Sequence, residues 1–174
     1  MRLLAAGLFW LAPARAHAQE DWHDEREEFL GERRALMVGL AGWAAVNIGL
    51  GAALLWVDPP GAPRDEASRA ERRGFAAMAL AYGVINGVLA ASTLATLPAF
   101  RRSLQSPDDV ASQRRRSADV FVANVGLDMT YVLVGAGLAT RGPTPLARGV
   151  GVGFVVQGAP LIAFDWLGSE LYRR

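Results

Sequence analysis

The chain has 174 residues, enough for one domain, and a formal net charge of +1, which removes any bulk electrostatic case for nucleic acid as a partner. It has no cysteine, which excludes disulfides, thiolate metal sites and cysteine nucleophiles together; its two histidines, His17 and His23, are too few and too near the N-terminus for a histidine metal site. Hydrophobic residues make up 52% and charged residues 20%, but the charge is gathered into short segments between long stretches almost free of it, unlike the even spread of a soluble fold.

Residues 1–18 read as an export signal. Arg2 is a minimal positive start, and residues 3–12 are an apolar run too short to span a hydrocarbon core of about 30 Å. Pro13 breaks that run. Ala16-His17-Ala18 then places small residues at the two positions a signal peptidase reads, so cleavage after Ala18 leaves Gln19 as the mature N-terminus; an uncleaved anchor is the alternative. Residues 19–34 follow with seven acids against three arginines. Trp22, Phe29 and Leu30 fall on one side of a helix there, giving either a short helix lying at the membrane surface or a flexible acidic tail.

Four segments then have the length and composition to cross a bilayer: residues 35–57, 74–100, 118–139 and 149–168. Trp56, Phe100, Trp166 and Tyr172 lie where an interfacial aromatic belt would be, and Pro98 marks the exit of the second span. The links are polar and helix-breaking. Residues 58–63 hold three prolines, residues 101–117 form the longest loop with five arginines against two aspartates, and residues 141–145 make a tight turn. Short links favour antiparallel neighbours. The expected fold is all-α, an up-down four-helix transmembrane bundle preceded by a signal peptide, with the membrane domain over residues 35–174.

Two rules disagree about orientation. A cleaved signal puts the mature N-terminus in the periplasm of an inner-membrane protein, but it leaves six arginines inside against ten outside, contrary to the positive-inside rule. The signal acts first during insertion and an acidic tail follows it, so a periplasmic N-terminus is the orientation adopted.

Each span carries a polar residue near its middle. The first has Asn47, the second Asn86, the third Asn124 and Asp128 on one face, and the fourth Gln157. Lipid penalises such groups, a charged Asp at a helix centre costing roughly 2.5–3.5 kcal/mol on insertion scales. They are therefore expected to face one another inside the bundle around Asp128, which has no arginine in any span to pair it. Either they hold the helices together or they form a functional ion or proton site. Asp165, near the end of its span beside Trp166, is read as a headgroup contact. Gly83 with Gly87, and Gly149 with Gly153, are spaced for close helix packing, and Pro160 is expected to kink the fourth helix just after Gln157.

These residues resemble a family of uncharacterised bacterial membrane proteins known only as a domain of unknown function. The resemblance is carried by Trp43, Asn47 and Gly51 in the first helix, Asn86 in the second, the run from Asn124 to Asp128 in the third, and Gln157-Gly158 with Phe164-Asp165 in the fourth. It covers residues 33 to about 170 and implies the four-helix layout and no reaction. No catalytic residue, cofactor or metal is expected, and the first reading is a non-enzymatic structural or accessory subunit whose partners are the bilayer and either itself or another membrane protein. The second is a small oligomeric transporter or a proton- or ion-conducting unit with Asp128 as the titrating group.

Overall fold

The computed structural model describes residues 11–57, 61 and 65–174, with side chains from Trp22 onward. The expected export signal falls outside the described residues for 1–10 and is described in backbone alone for 11–18. Of the proline-rich link only Gly61 is described, at φ +76°, a left-handed conformation that glycine adopts without a Cβ penalty.

Among the described residues the fold is all-α. Four helices follow in order: α1 (Leu11–Trp56), α2 (Glu66–Ser103), α3 (Pro107–Arg141) and α4 (Pro145–Tyr172). Each contains a stretch long and apolar enough to cross a membrane, with mean hydropathy between 1.5 and 1.7. The side-chain distribution is the reverse of a soluble protein's. Ile85, Val88, Leu133 and Leu167 are 64–71% exposed, whereas Asn47 and Gln157 are 1% exposed or less.

The helices run past the ends of their apolar spans because polar caps start them early. Asp65 accepts the Ser68 backbone N–H at 2.8 Å and opens α2; that bond holds the Asp65 carboxyl below the usual carboxylate range. Ser106 caps α3, accepting the Asp109 N–H at 3.2 Å, while the Asp109 carboxylate takes the Ser106 hydroxyl at 2.9 Å and the Gln105 N–H at 3.0 Å. With Pro107 in the first turn, this is a capping box written in the sequence as Ser-Pro-Asp-Asp. Thr144 and Pro145 start α4 in the same way. The expected long loop at 101–117 is thus mostly helix, and only residues 104–106 link α2 to α3. Pro98 lies inside α2 rather than at its exit, since the helix continues to Ser103.

The acidic segment 19–34 neither hangs free nor forms a separate surface helix. It is continuous with the first span as part of α1, no proline interrupting it. Phe29 and Leu30 are buried against Leu104, Val110, Ala118, Phe121 and Tyr172, with Trp22 packed beside them. The Arg114 guanidinium crosses to Glu32 at 2.9 Å and lies 5.3 Å from the Phe29 ring centroid. Apolar burial and this largely enclosed ion pair tie the segment to the ends of α3 and α4.

Helix order in space differs from helix order in the chain. α1 packs on α2, α2 on α4, and α4 on α3, so α4 lies between α2 and α3, the two helices joined by three residues. Glycines set these approaches. A Cβ at Gly83 would meet Ile48 and the Ala44 carbonyl of α1; one at Gly149 would meet the Glu71 backbone of α2; one at Gly151 would meet the Gly135 carbonyl of α3. Gly153 rests on Met78, while Gly87 is only in ordinary contact with the Ala44 methyl.

Candidate functional site

With α4 inserted between them, α2 and α3 diverge and leave a cavity of about 630 Å³. Helical spacing brings polar groups to it from three sides. On α2, Tyr82 and Asn86 are one turn apart; on α3, Asn124 and Asp128 are one turn apart; on α4, Asp165 enters one turn beyond Leu161, while Gln157, one turn before Leu161, stays outside the cavity. The antiparallel register of α3 and α4 sets Gly158 beside Asp128 and Gly168 against the Phe121 ring. Between those two contacts, Asp165 reaches Asp128 and Asn124.

The Asp128 and Asp165 carboxyls lie within interaction range of each other, and Asn124 stands beside Asp165. Both acids are only 6% exposed, and among the described residues no arginine forms a salt bridge with either. Two carboxyls this close repel one another when both are ionised, so elementary electrostatics favours a single proton held by the pair. Asn86 and Tyr82 also line the cavity, and the Asn86 amide nitrogen and the Tyr82 hydroxyl, both sealed from solvent, have no hydrogen-bond partner in the protein. Beyond the acids an aromatic group closes the inner end. Tyr131 and Phe154 stack with centroids 5.6 Å apart, and Tyr82 meets each edge-on. At the opposite end stand Arg33, 4.6 Å above the Phe100 ring, and Arg116.

The five residues expected to form one central ring divide into two groups. Asn86, Asn124 and Asp128 line the cavity; Asn47 and Gln157 do not. The Asn47 amide donates to the carbonyl of Trp43 on its own helix at 2.8 Å. Gln157 is fully buried with neither amide atom bonded in the protein. Asp128 is not alone, and Asp165 is not a headgroup contact. The reason is the length of α4, which continues to Tyr172 and leaves Asp165 about two turns inside its end. Trp166 is 58% exposed and faces away, so an aromatic neighbour in sequence misplaced the acid. The signal that could have found it is the four-residue spacing from Gln157 through Leu161.

A family of unknown function, DUF6992, matches over residues 39–166, most of the chain, and the chain belongs to that family. The matched stretch contains both acids, Asn86, Asn124 and the aromatic inner end, and leaves out Arg33 and Tyr172. No curated protein and no solved structure matches the chain.

Proposed function

We propose that this DUF6992 member is a non-enzymatic, multi-pass protein of the cell inner membrane that works as a small proton-linked carrier or conducting unit. The observation that carries this reading is the Asp128–Asp165 pair, two buried neighbouring carboxyls lining a cavity that opens between α2 and α3. Intramembrane acids are expensive, and a pair sharing one proton is a step on which protons load and unload. The unpartnered Asn86 amide and Tyr82 hydroxyl beside it are further polar stations along the same cavity. Four helices make a small unit, and an oligomer would complete its path.

The test is proton entry into proteoliposomes holding a trapped pH dye, driven by a potassium diffusion potential. Wild-type protein should carry protons faster than Asp128→Asn and Asp165→Asn, with all three eluting as the same folded species. Equal rates for wild type and both variants would sink the proposal.

A second reading, the structural or accessory subunit, draws on a different observation. Asn47 and Gln157 are sealed in helix contacts away from the cavity, where polar side chains act as packing elements. Under that reading Asp128→Asn leaves stability, oligomer size and phenotype unchanged.

A further inference from the structure

The geometry points to an anionic phospholipid of the surrounding bilayer as the occupant of the groove between α2 and α3, its phosphate at Arg33 and Arg116 and one acyl chain running inward toward Asp128 and Asp165. Three features of the groove converge on that ligand.

The first is charge. Arg33 and Arg116 come from different helices and meet at one end of the cavity. Neither forms a salt bridge among the described residues, so both guanidinium charges are open to an anion at that end. Gln113 and Ser117 line the same end and can hydrogen-bond a phosphate or glycerol oxygen.

The second is depth. Both arginines stand just outside the apolar spans that begin at residues 35 and 118, which is headgroup level. From Arg116 to Leu127 the groove follows α3 for about 16 Å, close to half of a hydrocarbon core of about 30 Å. One leaflet's chain therefore ends beside the acid pair.

The third is the rim. Ile85 and Leu89 on α2 face Val120 and Leu127 on α3, and all four are 49–65% exposed. They form an apolar slot that opens sideways, so a chain can enter from the bilayer without its head leaving the interface. The arginines and the rim carry this site, and the acid pair does not, so it stands or falls independently of the proton-linked reading. A chain lying in the slot would cover the acids, and lipid occupancy and proton passage would then oppose one another.

Native mass spectrometry of the full chain, released from micelles with equal phosphatidylglycerol and phosphatidylcholine, tests the site. Wild type should retain one phosphatidylglycerol with a preference of about 25-fold over phosphatidylcholine, about fivefold from each arginine. The Arg33→Gln/Arg116→Gln double variant should retain the two lipids equally. Leu89→Trp/Val120→Trp, which fills the slot from exposed positions, should lose both lipids. Equal retention of both lipids by wild type, or a preference untouched by the arginine changes, overturns the proposal. A wild-type dimer carrying neither lipid also overturns it and assigns the groove to a second copy of the chain.

Discussion

Replacing Gly149 by alanine sets two opposing effects against each other at one atom. Alanine is the better helix former by about 1 kcal/mol, so a glycine with free space around it should gain by the change. Gly149 has no such space. Its added Cβ would fall on the main chain of Glu71 in α2, which cannot swing aside as a side chain could. The helices must separate, and overpacking of this kind costs about 1–3 kcal/mol. The same separation strains the Arg148–Glu71 ion pair, held at 2.8 Å beside the contact. The net expectation is a loss of up to about 2 kcal/mol for Gly149→Ala. Gly137 is the internal control, since it is helical and nothing lies within 4 Å of its added Cβ. Gly137→Ala should gain up to about 1 kcal/mol, leaving the two variants about 1–3 kcal/mol apart. Unfolding in mixed micelles by detergent titration, followed by far-ultraviolet circular dichroism, reads the difference. If Gly149→Ala is as stable as Gly137→Ala, the close α2–α4 approach is wrong.

Two further outcomes follow from the ends of the helices. Glu32→Gln should destabilise the fold by about 2 kcal/mol in the same titration, because it leaves the Arg114 guanidinium, 9% exposed, without its charge partner; a loss below the error of the measurement refutes the tie between α1 and α3. At the start of α2, the folded Asp65 carboxyl lies below its unfolded value, so its capping contribution is present above the ordinary carboxylate range and is lost as pH falls through the folded value. The protection of the Ser68 amide, its exchange rate relative to the intrinsic rate at the same pH, should therefore fall on acidification in wild type. In Asp65→Asn, which caps without titrating, the acid-dependent part should disappear.

The helices were legible because hydropathy and capping are local properties. Apolar runs long enough to span, and the caps at Asp65, at Ser106-Pro107 and at Thr144-Pro145 that start the helices ahead of them, are written in consecutive residues. Reading span ends from hydropathy alone shortened every helix, since it gave no weight to polar turns such as residues 107–117, which stay helical beyond the apolar stretch. Continuity of α1 through residues 19–34 was missed for the same reason.

The depth of a polar residue within a span is also local, and by that measure Asn47, Asn86, Asp128 and Gln157 belong together near the middle. Which way each one points depends on the neighbour its helix acquires, and that is a property of the assembled bundle. With α4 between α2 and α3, the cavity took in Asn86, Asn124 and Asp128 and excluded Asn47 and Gln157. The same arrangement turned Asp165, read from its place in the chain as a headgroup contact, into the partner of Asp128. By itself the sequence determined that four apolar helices exist and how deep their polar groups lie. Only the packing of α4 against both α2 and α3, through the close approaches at Gly149 and Gly151, decided which of those groups meet.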